Sequence, residues 1–200
     1  MEQLGHYDDS LEHLEAAVEI YKLKVGPNDS KTGDALNHLA LVRFMLADYD
    51  EAESLYRETL KIRESNLGSE HPDTAETMAY LAGLLQSTFR LDEAEVLYEK
   101  ALRITRAALG ESHPDSITYL TYVAGIYEEK GRYTESTRLF RQALHMYREV
   151  LEPEDTLLSL CIGYVGWGLA SASQFAEAEQ HYLEALNLQE KILGPEHPYV

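Results

Sequence analysis

The phrase "LGSEHPDT" at 67–74 returns as "LGESHPDS" at 109–116 and as "LGPEHPYV" at 193–200. Gly26, Gly68 and Gly110 stand 42 residues apart, and Gly194 follows at twice that interval. Other columns keep the same step: Tyr7, Tyr49, Leu91, Tyr133 and Phe175; Ser10, Ala52, Ala94, Ser136 and Ala178; Leu14, Tyr56, Tyr98, Phe140 and Tyr182; Ala17, Thr59, Ala101, Ala143 and Ala185. A chain written in such copies is built from similar units, each burying its apolar face on a neighbour.

Each unit reads as two helices. In "DTAETMAYLAGLLQS", Met78, Leu81, Ala82 and Leu85 recur at helical spacing. "TFRLD" breaks the pattern. "EAEVLYEKALRITRAAL" then places Ala94, Leu97, Tyr98, Ala101, Leu102 and Ile104 on one broad face, with Glu95, Glu99, Lys100, Arg103 and Arg106 opposite. No long stretch alternates with period two, so strands are not expected. The unit bounds are 26–67, 68–109, 110–151 and 152–193. Residues 5–25 match only the second helix of a truncated unit, and 194–200 begin a further connector. With no polar cap at either end, the sequence reads as a window from a longer array.

The connector is punctuation. Gly68 is expected in the left-handed conformation at a helix end. Pro72 suits the first helical turn, where its missing N–H costs nothing. Asp73 favours the positive end of the helix dipole, and His71 is placed to cap backbone groups. His71, His113 and His197 fall one per connector. Stacked helices lie about 10 Å apart, too far for these rings to share a zinc ion that binds at about 2 Å. There is no His-Glu-x-x-His, phosphate loop or Gly-x-Ser-x-Gly. No catalytic, metal or cofactor site is predicted, and the chain is not expected to be an enzyme.

Charge narrows the partners. The chain has 17 basic and 35 acidic residues, a formal net charge of −18. That repels nucleic acid and anionic membrane surfaces. Cys161 is the only cysteine, no apolar run nears the length of a membrane span, and the N-terminus lacks a signal peptide's basic start and apolar block. A cytoplasmic location is expected.

The columns resemble the tetratricopeptide pattern, with small residues at helix crossings and an aromatic four residues after an Ala: Ala94, Tyr98 and Ala101 in one unit, Ala178, Tyr182 and Ala185 in another. Leu39-Ala40, Leu81-Ala82, Val123-Ala124 and Val165-Gly166 supply the other crossing. The usual period is about 34. The longer second helix and "LGxxHPDT" connector resemble the kinesin-light-chain type of repeat. The resemblance implies an all-α, right-handed α-solenoid of stacked antiparallel helix pairs, whose first helices line a concave wall.

It also implies a scaffold that binds a peptide or partner protein on that wall. The alternatives are a regulatory repeat segment of a larger nucleotide-binding signalling ATPase and a motor-associated cargo adaptor. In the family an Asn column contacts peptide; here it reads Asn37, Ala79, Thr121 and Gly163. Positions that are basic in family grooves include Asp34, Glu76, Glu128 and Glu129 here, which suits a ligand carrying Lys or Arg. The candidate wall residues are Asn37, Leu41, Phe44, Met45, Gln86, Thr121, Glu128 and Trp167, and self-association is a further option. The Tyr80, Tyr122 and Tyr164 column is expected to pack between units. The fourth unit is irregular: it lacks the connector's Gly and His-Pro and puts Gly163, Gly166 and Gly168 in one helix. Either close helix approach or a softened joint would account for these glycines.

Overall fold

The computed structural model describes residues 2–150, 152 and 155–194, with side chains from residue 11 onward. His197 and most of the 194–200 connector lie outside that range. Among the described residues there are helices and no strand: α1 Glu2–Lys24, α2 Ser30–Met45, α3 Tyr49–Leu67, α4 Pro72–Ser87, α5 Leu91–Leu109, α6 Pro114–Glu129, α7 Tyr133–Val150, α8 Thr156–Ser171 and α9 Phe175–Leu193.

The helices group into two compact units, 1–108 and 109–200. In the first, α1 packs on α2, α2 on α3 and α3 on α4, while α2 also touches α4. In the second, α6 packs on α7, α7 on α8 and α8 on α9, and α6 touches α8. First helices therefore lie beside first helices within each unit. The small-residue columns make this approach close: Ala40, Ala52, Ala82, Ala94, Ala101, Ala124 and Ala143 are fully buried. The aromatic column fills the space between them, and Tyr56, Tyr98 and Phe140 are buried to within a few percent.

Two kinds of joint alternate. Inside each hairpin the first helix ends on a positive-φ residue, Ala47 (62°), Phe89 (59°), Gly131 (75°) and Ser173 (62°), again 42 apart. The following N–H reaches back five residues: Asp48 to the Arg43 carbonyl (2.9 Å), Arg90 to Leu85 (2.8 Å), Arg132 to Tyr127 (2.7 Å) and Gln174 to Leu169 (2.8 Å). This double-bonded stop satisfies the orphan carbonyls of the helix end. Only Gly131 announces it in the sequence.

The connectors work differently. Gly68 has φ 95° and ψ 160°, so the expected left-handed helical conformation gives way to a positive-φ extended one that is essentially restricted to glycine. Its carbonyl accepts from the Thr74 hydroxyl at 2.9 Å, as Gly26 does from Thr32 (2.8 Å) and Gly110 from Ser116 (2.8 Å). His71 Nδ1 accepts from the Asp73 N–H (3.1 Å) and His113 Nδ1 from Asp115 (3.2 Å). Asp29 and Asp155 occupy the same column and cap α2 and α8 through Lys31 N–H (2.9 Å) and Leu157 N–H (2.7 Å). The recurrent imidazoles are N-caps, interchangeable with carboxylates.

Candidate functional site

In the first unit α2 and α4 present the candidate face. Arg63, which is buried, reaches out from α3 and ties the two together. Its guanidinium donates to Asp34 Oδ1 (3.0 Å), Glu76 Oε2 (2.9 Å), Thr77 Oγ1 (3.0 Å) and the Asp73 carbonyl (2.6 Å). Burial alone would lower the Arg63 pKa; hydrogen bonds and charge from Glu76 and Asp34 outweigh it and raise the value. The two carboxylates expected to attract a basic ligand therefore already share a cation. The matching residue in the third unit is Tyr147, whose hydroxyl lies 3.0 Å from Thr118 Oγ1.

The predicted wall residues of this unit divide. Asn37 is only 5% exposed and its buried Oδ1 has no hydrogen-bond partner among the described residues. Ala79 of the same column is also buried. Leu41 and Phe44 are half-buried, and the Phe44 ring packs 5.8 Å from Tyr49 across the hairpin turn. Gln86 is half-buried and accepts from the Tyr98 hydroxyl at 3.4 Å. Met45 stays 56% exposed.

In the second unit Thr121 donates to the Thr118 carbonyl (2.6 Å). Glu128 is buried and accepts from Ser171 Oγ at 3.0 Å, binding the end of α6 to that of α8. Trp167 is 47% exposed. It heads a stripe of exposed apolar side chains on α8, Leu157, Leu160, Tyr164 and Trp167, which recur at helical spacing. Gly163 stands inside that stripe, and a side chain there would meet nothing within 4 Å. The stripe is bordered on α6 by exposed Tyr122. Burial raises the Tyr122 pKa, and nearby Tyr164 adds to the effect.

The tyrosine column packs as expected and stays partly open. Tyr80 stacks on Tyr56 at 6.0 Å and Tyr164 on Phe140 at 5.4 Å, yet each ring keeps over a third of its surface exposed. Leu157 was missed by the sequence reading. It sits one position after the cap, where exposure of a leucine has no local signal.

The opposite face is held by charge pairs that cross from one second helix to the next. Lys22 meets Glu58 (3.8 Å), Arg57 meets Glu93 (3.9 Å) and Arg148 meets Glu184 (2.5 Å), each spanning 36 residues; Arg141 and Glu177 form a fourth. Cys161 is buried in α8, and burial pushes its thiol up to about 12, leaving it protonated and unreactive. No group of three metal-ligating side chains occurs among the described residues, nor is any helix long and apolar enough to cross a membrane.

This arrangement defines an all-α helical-hairpin repeat protein, with capped connectors, small-residue crossings and a partly apolar first-helix face. Tetratricopeptide-repeat profiles match residues 1–65, 32–107, 73–149 and 160–199, and the chain belongs to the tetratricopeptide-repeat family. Its fold is similar to that of a Podosopora anserina protein described as a kinesin light chain with nearly identical TPR-like repeats. That match has a TM-score of 0.81 and 22% identity, covering 94% of this chain and 89% of that one. It is also similar to BtubC (BKLC) from P. vanneervenii (TM-score 0.85, 18% identity, 98% and 78% covered). The apo form of RapI gives a TM-score of 0.77 at 15% identity, with 94% and 68% covered. Among curated proteins, none matches the chain at a significant level. The family and fold are those of protein-interaction scaffolds.

Proposed function

We propose that the chain, read as the single array of units set out above, holds a peptide or partner segment on the face of its first helices. The α8 stripe of Leu157, Leu160, Tyr164 and Trp167 is the main contact of the second unit. Met45, with Leu41 and Phe44 half-buried behind it, is that of the first. The observation that carries this reading is the exposure of four large apolar side chains in one line on α8, on a helix whose other apolar residues are buried. Large aromatic and aliphatic anchors beside an open glycine notch are what a partner's side chains fill. Asn37 and Glu128 act from beneath, as buried groups that fix helix spacing.

The preferred partner carries basic residues. Asp34 and Glu76 are already bridged by Arg63 and Glu128 is engaged by Ser171, so the preference comes from the field of a chain carrying −18 formal charges. Such a field speeds encounter more than it deepens affinity.

Panning a random-peptide display library on the 200-residue chain tests this. Selected peptides should combine apolar and basic residues. Their affinity should fall at least tenfold for Leu160→Ala/Trp167→Ala, with the helical circular-dichroism signal unchanged. Peptides that bind the double variant undiminished would place recognition on another surface.

A further inference from the structure

A cavity of about 720 Å³ opens between α7, α8 and α9, away from the proposed partner face. Its lining includes Arg148, Leu158, Ile162, Leu183, Leu188 and Lys191. Its volume is in the range of small-molecule sites, typically about 300–1,000 Å³.

Departures from the repeat create it. Leu158 stands in the column of Thr32, Thr74 and Ser116, whose hydroxyls bond the connector carbonyls in the earlier units. Leu183 stands in the column of Arg57, Glu99 and Arg141. This unit thus has leucine at two places where the others are polar, and both leucines line the same space. Places where a sequence breaks its own rule are where function is to be sought.

The charges at the rim do not cancel. Arg148 Nη2 is matched by Glu184 Oε1 at 2.5 Å, and Glu184 also lines the cavity. Lys191 has no ion-pair partner among the described residues. An apolar floor with one unmatched ammonium suits a molecule with an apolar body and a single negative head. We propose that this cavity binds a small amphiphilic carboxylate, its apolar body over Leu158, Ile162, Leu183 and Leu188 and its carboxylate at Lys191. With the chain so acidic overall, discrimination for the anion must come from this local cation.

Isothermal titration of the 200-residue chain with decanoate, decanol and decyltrimethylammonium tests the assignment. Decanoate should bind saturably, at one per chain and most tightly of the three. Lys191→Ala should weaken decanoate at least fivefold and leave decanol unchanged. Leu183→Glu, which restores the polarity of Glu99, should abolish binding of both, with the thermal transition retained because Leu183 is exposed. Absence of saturable decanoate binding would overturn the proposal. So would equal or tighter binding of the cationic amphiphile, or binding undiminished in Leu183→Glu.

Discussion

The Tyr182 ring of α9 lies 3.0 Å from where a side chain at Gly166 of α8 would begin. A Cβ at Gly168 would lie 2.9 Å from Thr137 Oγ1 and 3.4 Å from the Thr137 Cα. Two of the three α8 glycines therefore exist for close approach, one toward α9 and one toward α7. Gly163 answers to neither.

The three should separate on mutation to alanine. Gly163→Ala gains helix propensity and should stabilise by about 0.5–1 kcal/mol. Gly166→Ala and Gly168→Ala gain the same term but force packed neighbours apart, and should destabilise by about 1–3 kcal/mol. Urea denaturation followed by circular dichroism reads all three. A stabilised Gly168→Ala would show that α7 and α8 have room to part.

The caps give a second expectation. His71→Ala removes the acceptor for the Asp73 N–H and should cost about 1 kcal/mol. His71→Asp installs the residue that Asp29 and Asp155 already use in this column, and should restore most of the loss. Chemical denaturation of the two variants checks this. Equal losses would mean that the imidazole contributes through something other than capping.

Phe89 holds φ at 59° while its side chain is almost wholly exposed. A left-handed conformation costs a non-glycine residue roughly 1–2 kcal/mol, and the ring recovers little by packing. Phe89→Gly should therefore stabilise the first unit by about 1 kcal/mol. Gly131→Ala, at the same turn of a later hairpin, should destabilise by a similar amount. Thermal midpoints moving in opposite directions would confirm both.

Glu53 on α3 is where acid should act. Burial works to raise its pKa, but the guanidinium groups of Arg57 and Arg90 outweigh burial and hold it below the ordinary 4.5. Arg57 donates to Glu53 Oε1 at 2.7 Å and Arg90 to Oε2 at 2.7 Å. A carboxylate with a depressed folded-state value stabilises above its unfolded pKa, and loses that contribution as pH falls through the folded one. The stability difference between wild type and Glu53→Gln should be constant at neutral pH and shrink below about pH 4.5. Using the difference removes the effect of the chain's overall charge. A difference that grew on acidification would contradict the pairing.

The 42-residue step, visible in Gly26, Gly68 and Gly110, set the helix pairs and their order, because period and small-residue columns are local and repeated. The same columns showed which residues meet at crossings: Met78, Leu81, Ala82 and Leu85 are buried as the spacing requires. The roles of Pro72 and His71 were legible too, since a helix start needs only its own few residues. The candidate wall was legible in part. Trp167 and Met45 are exposed, but nothing local marks Asn37 and Glu128 as buried, since that depends on how near the neighbouring helix lies.

Other features belong to the tertiary structure. The stops at Ala47, Phe89 and Ser173 lack the glycine that would announce them, because helix packing on both sides holds the turn against its strain. The Arg63 bridge joins residues on three helices. The charge pairs of the outer face link neighbouring second helices 36 residues apart, a spacing that becomes contact only once the helices are laid side by side. The cavity beside Leu158 and Leu183 is likewise a product of assembly, since two unremarkable leucines become its walls only where three helices meet.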